Sequence, residues 1–192
     1  MNAVRAFIAI ELPPEVRAEL SRVQLRLKSA SACPAKWVEP GSVHLTLCFL
    51  GEISPAQVEA VKGVMVQVVA GFHPFALELT QAGAFPNLRQ PQTLWVGLGG
   101  GLDSLSKLHR QLEEGLRTTG YKPEDRPFRP HLTLARVRDE ATPAERQGLG
   151  EAVGRLSGPI AGRIDVSEIN LMKSQLTPSG AVYSRLYSSR LG

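Results

Sequence analysis

Cysteine is nearly absent from this chain, with Cys33 and Cys48 the only two among 192 residues. They lack CxxC spacing and cannot build a disulfide framework, so the sequence predicts small buried thiols rather than a bridge or a metal site. Histidine is almost as scarce, at four residues, and neither an HExxH string nor a paired Asp/Glu ligand set accompanies it; no metal and no other cofactor is expected. Long hydrophobic runs are also missing. No apolar stretch approaches the roughly 18 residues of a membrane span. Met1 to Ile10 carries only Arg5 ahead of a mixed run that ends at Glu11, which is no signal-peptide pattern, and the expected location is cytoplasmic. There is no GxGxxG. The Gly99–Gly101 run is not followed by Lys-Ser or Lys-Thr, so it reads as a flexible connection and not as a phosphate cradle.

What remains suits a globular protein. With 43% hydrophobic and 21% charged residues, the chain can bury a core as one compact domain or two intimately packed lobes. The net charge of +4 is compatible with a polyanionic partner but too mild to demand one. Its distribution says more. Between Lys122 and Arg138 stand five basic residues, Lys122, Arg126, Arg129, Arg136 and Arg138, against two acidic ones. A merely solvated loop has no reason to place them around a chemical motif, and phosphate attraction does.

That motif occurs twice. His44-Leu45-Thr46-Leu47 returns unaltered as His131-Leu132-Thr133-Leu134, although Thr fills only 8 of the 192 positions. In an extended strand His and Thr share one face and the two Leu the other. His and Thr then stand about 6.5 Å apart, so an imidazole and a hydroxyl can reach different oxygens of one tetrahedral phosphate. Two imidazoles that titrate near neutrality can supply a general base and a general acid together. A phosphodiester needs both, because water must lose a proton and the departing ribose oxygen must gain one. A single His-x-Thr is most simply a hydrogen-bonded polar pair on a strand; two copies turning four polar side chains to one side of core strands would be costly as structure alone. His73 and His109 lack such a partner and are assigned to the surface.

Taken in order, Val4–Ile10 reads as a strand. Pro13-Pro14 opens a helix with Val16, Leu20, Val23 and Leu27 on one face, ended by Cys33-Pro34. Lys36–Val38 is a short edge strand, and Ser42–Leu50 the first motif strand, closed by Gly51. Ser54-Pro55 caps a second helix with Val58, Val61, Met65 and Val68 buried, ended by Gly71. A strand at Phe75–Leu79, a loop from Gly83 to Pro91 and a strand at Thr93–Leu98 follow. A third helix spans Asp103–Thr119 on Leu105, Leu108, Leu112 and Leu116, stopped by Gly120. The second motif strand is Phe128–Val137. A weaker helix covers Thr142–Leu156, and strands near 160–174 and 181–188 meet at a Ser179-Gly180 hairpin turn. The fold class expected is α+β, with two pseudo-symmetric lobes, helices outside, and antiparallel sheets facing a central cleft.

The longer strings His44-Leu-Thr-Leu-Cys-Phe-Leu-Gly51 and Phe128-Arg-Pro-His-Leu-Thr-Leu-Ala-Arg136 resemble the two-histidine (2H) phosphoesterase family, in its bacterial RNA 2′,3′-cyclic phosphodiesterase (2′-5′ RNA ligase) branch. Arg5–Ile10, Phe85-Pro86, Leu94–Gly97, Ser174, Gly180 and Tyr183 extend the likeness along residues 1–192, as a single domain. The resemblance implies metal-independent hydrolysis of RNA 2′,3′-cyclic phosphate ends to 2′-phosphates, with 2′-5′ ligation as the reverse. It implies His44 as the acid protonating the ribose 3′ oxygen, His131 as the base, and Thr46 and Thr133 on the phosphate. Arg136 would support the phosphate and Phe49 would stack on the base. From the residues alone the two histidines cannot be ordered. Strict alternation puts Phe49 and Arg136 on the wrong face, so a bend or bulge is predicted after each Thr. RNA ends, tRNA fragments among them, are the expected partners of a monomer that needs no membrane or obligate protein partner. The alternatives are the same chemistry on a small nucleotide (a cyclic phosphate of ADP-ribose or a 2′,3′-cyclic mononucleotide) and a non-catalytic RNA-binding module.

Overall fold

Two antiparallel sheets carry the two motifs, one each. The computed structural model describes residues 3–156, 158–177 and 180–192. In chain order the elements are β1 (Val4–Glu11), α1 (Pro14–Ala30), β2 (Ala35–Trp37), β3 (His44–Ile53), α2 (Pro55–Val69), β4 (Phe75–Phe85), β5 (Thr93–Gly100), α3 (Leu102–Leu116), β6 (His131–Val137), α4 (Pro143–Gly154), β7 (Arg163–Val166), β8 (Glu168–Thr177) and β9 (Gly180–Arg190). The first sheet runs β3-β1-β8-β9 and the second β2-β6-β5-β4-β7. Strand β3 begins at the first motif histidine and β6 at the second, and the two strands come together between the sheets.

The helices form where capping and periodicity agree. Ser54 and Gln57 close a reciprocal capping box at the start of α2, and Thr142 and Glu145 do the same for α4, each with Pro at the first helical position. In α3 the side chains of Leu105, Leu108, Leu112 and Leu116 are fully buried along one stripe, and Gly120 ends the following turn in the left-handed region at φ 86°. In α2 the buried stripe is Val61, Val64, Met65 and Val69, while Val58 and Val68 are only partly covered. Among the described residues no helix is long and apolar enough to cross a membrane.

Several boundaries differ from those the sequence suggests. Strand β4 continues to Phe85, through residues expected to be loop, because Gly83 to Phe85 pair with Thr93 to Trp95 on β5. The three-glycine run is no flexible joint. Gly99 and Gly100 pair with Glu78 and Leu77, Gly100 has φ +77°, and a Cβ on Gly101 would sit 2.8 Å from the Ala76 carbonyl oxygen. The glycines allow β5 to run tight against β4. Gly51 does not close the first motif strand, which continues to Ile53 through a positive φ of 70°. The second motif strand starts only at His131, since Pro127 and Pro130 have no N–H to give a ladder. Ser179 of the expected hairpin turn lies outside the described residues, although Thr177 and Gly180 face each other across it.

Both motif strands carry the irregularity that alternation demanded. On β3, Thr46 pairs with Ala9 and Cys48 with Ile8, leaving Leu47 as an extra residue; Leu50 is a second extra residue before Gly51. On β6, Thr133 pairs with Trp95 and Ala135 with Leu94, leaving Leu134 extra. Each motif threonine is thus followed by a β-bulge.

A bulge frees backbone groups that must find partners. At β6 they are found from outside the sheet. The Leu134 carbonyl accepts the Val38 N–H at 2.9 Å and the Gln24 side-chain amide at 3.0 Å, and the same amide donates to the Val38 carbonyl at 2.7 Å. Gln24 sits on α1 and is 2% exposed, the one polar side chain among that helix's buried residues. Replacing it with the similarly sized Leu removes a donor from one buried and one part-buried carbonyl, and Gln24→Leu is expected to lose about 1–3 kcal/mol of stability by denaturant unfolding. The neighbouring Leu25→Ala, at an exposed position, should change little, and an unchanged midpoint for Gln24→Leu would show that the bulge does not need the amide.

Candidate active site

Between the sheets lies a cleft of about 980 Å³, lined by His44, Thr46 and Phe49 from β3 and by His131, Thr133 and Arg136 from β6. The six residues singled out in the sequence therefore share one space. The bulges are why. Along β6, Leu132, Leu134, Ala135 and Val137 are buried while His131, Thr133 and Arg136 are not, so the extra Leu134 restores Arg136 to the face of the motif pair. Along β3, buried Leu45, Leu47 and Cys48 likewise leave His44, Thr46 and Phe49 together, with Phe49 54% exposed.

Each motif orients its imidazole in the same way. His44 Nδ1 lies 2.8 Å from the Ser42 carbonyl oxygen, and His131 Nδ1 lies 2.7 Å from that of Arg129. A carbonyl can only accept, so Nδ1 carries the hydrogen in both rings and Nε2 is the nitrogen left to work. The hydroxyls of Thr46 and Thr133 and the Arg136 guanidinium have no protein partner among the described residues. They are free to donate to an anion.

The surroundings of the two rings differ. His44 stacks on Phe7 with centroids 4.6 Å apart and meets Tyr183 edge-on at 5.0 Å. His131 has one aromatic neighbour of this kind, Phe85, edge-on at 5.1 Å. Burial holds the His44 pKa below the ordinary 6.5, against smaller opposing effects from the Ser42 carbonyl and Glu11. Phe7, Phe85 and Tyr183 are cleft residues that sequence reasoning did not assign; they lie within strings that resemble the family, but nothing in strand periodicity distinguishes an aromatic that lines a cleft from one in the core.

His109 is a correction. Expected on the surface, it lines the cleft on α3, stacked on Phe128 at 3.9 Å with Nδ1 3.7 Å from Glu113 Oε2. The approach of α3 to β3 brings it there, a tertiary contact that its own helix does not reveal. His73 is exposed, near the Gly192 carbonyl. Both thiols are buried and unpaired, and burial pushes Cys48 up to about 12, which leaves it an inert core side chain. Of the five cations in the 122–138 run, Arg126, Arg129 and Arg136 line the cleft. Among the described residues no three His, Cys, Asp or Glu side chains gather as metal ligands would.

Comparison with known proteins places this geometry in a family. The LigT-like phosphoesterase profile matches the chain twice, over residues 10–95 and 99–183, with one His-x-Thr motif in each match. An RNA 2′,3′-cyclic phosphodiesterase of Methanothermobacter thermautotrophicus is 37% identical over 188 residues, 98% of this chain and 99% of that one. Crystal structures of TT0787 of Thermus thermophilus (TM-score 0.79, 28% identity, 97% of each chain) and of E. coli LigT complexed with 3′-AMP (TM-score 0.75, 26% identity, 98% of each chain) share the fold. Two profile matches, each built around one of the cleft's two histidines, and relatives alike from end to end establish that the chain belongs to the LigT-like phosphoesterase family.

Proposed function

We propose that the cleft hydrolyses the 2′,3′-cyclic phosphate ends of RNA to 2′-phosphates by acid and base catalysis shared between His44 and His131. The observation that carries this reading is the pair of matched imidazoles, each with Nδ1 tied to the carbonyl two residues earlier and Nε2 left free in one cleft. The M. thermautotrophicus relative's name supplies the substrate class. In this reading His131 Nε2 takes a proton from the attacking water as its oxygen bonds to phosphorus. His44 Nε2–H gives its proton to the ribose 3′ oxygen as the P–O3′ bond breaks. One turnover leaves His131 protonated and His44 neutral, and exchange with solvent resets both. Thr46, Thr133 and Arg136 donate to the non-bridging oxygens, where charge accumulates, and Phe49 offers its exposed face to the base.

With a ribose 5′-hydroxyl in place of water, the same proton transfers join two RNA ends through a 2′-5′ linkage. No step needs a metal, since the two motifs supply the acid, the base and the anion donors. The reading extends to a monomer, one domain of two packed lobes, acting in the cytoplasm on RNA ends such as tRNA fragments. Two unpaired buried thiols suit a reducing compartment.

Product analysis on a short RNA ending in a 2′,3′-cyclic phosphate, with EDTA present, tests the core of this. Conversion to a 2′-phosphate is expected, with His44→Ala and His131→Ala each reducing kcat about 10²–10⁴-fold; a 3′-phosphate product would reverse the choice of leaving group, and unaffected variants would leave an RNA-binding module. A nitrophenyl phosphodiester separates the two roles, because nitrophenolate departs without a proton. His44→Ala should retain most wild-type activity on it and His131→Ala should not; the opposite pattern would exchange acid and base.

The pH dependence follows from burial. A general acid works in its protonated form, and His44 loses that form as pH rises through a value held below 6.5 in the free protein. A phosphate anion beside it favours the imidazolium and raises the value. By NMR, His44 should titrate below 6.5 alone and move upward when inorganic phosphate is added. No movement would place the anion away from His44.

A further inference from the structure

The floor of the cleft continues past the histidines along β1. Arg5 and Phe7 on this strand face the cleft, while Ala6, Ile8 and Ile10 are buried in the core between and beyond them. Phe7 is the residue on which His44 stacks. Arg5 stands one strand step beyond it, about 6.5 Å along β1. There a second, more open hollow of about 620 Å³ begins, to which Glu52 and Lys173 contribute. Arg5, Ser174 and Leu176 line both hollows, so the two run into one another.

Two features of this trough are unusual for mere surface. Glu52 is the register neighbour of Arg5 on β3, yet Arg5 has no ion pair or hydrogen bond among the described residues. Its charge is uncommitted. In addition, β1 lies between β3 and β8, and each flanking strand turns a large apolar side chain outward beside it, Phe49 at 54% and Leu176 at 70% exposure. A bare cation between apolar faces matches a single nucleic-acid strand, whose phosphates seek charge and whose bases seek surfaces to lie on. Arg136, also without a partner among the described residues, stands beside the motif pair itself, whereas Arg5 lies a strand step beyond it.

We propose that the trough centred on Arg5 is a subsite for the phosphodiester and base on the 5′ side of the terminal nucleotide, so that the cleft favours an RNA chain over a cyclic mononucleotide. This rests on the cyclic phosphodiesterase reading above. With the cyclic phosphate between His44 and His131, the 5′ phosphodiester of the same nucleotide lies one backbone step away, and Arg5 is the cation β1 presents one step beyond Phe7. Ser174 adds a hydroxyl donor at the same place. Leu176 offers contact area that carries no base preference, as suits an enzyme acting on ends of any sequence.

The test compares kcat/KM for a 2′,3′-cyclic mononucleotide and for a tetranucleotide ending in a 2′,3′-cyclic phosphate, in wild type and Arg5→Gln, across a range of salt. The wild type is expected to prefer the tetranucleotide, with the steeper fall in log kcat/KM against log salt. Arg5→Gln should cut the tetranucleotide-to-mononucleotide ratio about tenfold, as loss of a charge-assisted contact does, and lower the tetranucleotide's salt slope by about 0.7, the single-strand value for one phosphate. Equal wild-type values for the two substrates, or a ratio that Arg5→Gln leaves in place, would overturn the subsite while the cyclic phosphodiesterase reading stood. Turnover of neither substrate by the wild type would defeat that reading, and the subsite with it.

Discussion

One extra residue after each motif threonine determines what this cleft can hold. A regular strand would present His and Thr to the substrate and then turn the next two useful side chains away, because pleat alternation is strict. Leu47 and Leu134 break that alternation while staying in the core themselves, so Phe49 and Arg136 rejoin the motif face. The irregularity has to be held open against the sheet's tendency to pair, and for β6 the holder is an amide on a helix from the other half of the chain. Gln24 follows β1 in sequence yet binds the Leu134 carbonyl on β6. The second half returns the arrangement, since α3 follows β5 of the second sheet and packs against α2 and β3. The two halves are therefore interlocked through the helices that stand behind the motif strands.

Sequence reasoning reached the bulges because it held two incompatible statements together: alternation along a strand, and a family likeness that wants residues five apart on one face. Neither alone predicts the geometry. It found α3 from periodicity and the capped start of α2 from its capping residues, which are local properties, and α4 only as a weaker helix. It missed the length of β4 and β5, because glycines that read as breaks in one dimension are close approaches in three: Gly101 is needed by the Ala76 carbonyl on a neighbouring strand. His109 was misplaced for a similar reason. Its stacking partner Phe128 is known only once α3 is set against the loop that leads into β6, whereas Glu113 lies four residues on along the same helix. The basic run was legible as composition, but the structure divides it: Arg138 lies near Glu140 at 3.9 Å on an exposed surface, while Arg136, two residues away, lines the cleft.

In the proposed reaction, the duplication is what lets one protein bring both an acid and a base to a single small phosphate. Two copies of one strand-borne motif, one from each sheet, give two imidazoles with Nδ1 tied in the same way and Nε2 left free in one cleft. Identical copies would be chemically equivalent, and a reaction needing one donor and one acceptor gains from making them unequal. The asymmetry comes from the sheets rather than from the motifs. Phe7 and Tyr183 enclose His44, whereas Phe85 alone stands at the edge of His131.

That enclosure has a consequence for the order of events. Burial disfavours the His44 imidazolium, so the protonated form that the proposed general acid requires is best supported with an anion beside it. In the proposed reaction, phosphate binding and proton uptake at His44 are linked, because the anion raises the affinity for the proton that burial lowers. A more exposed histidine would be charged more often in the free protein, yet would interact less with the phosphate it serves. Under the same proposal the aromatic enclosure trades resting protonation for a stronger response to phosphate, and Phe7, which touches His44 on one side and leads along β1 to Arg5 on the other, joins the proposed reaction centre to the proposed subsite.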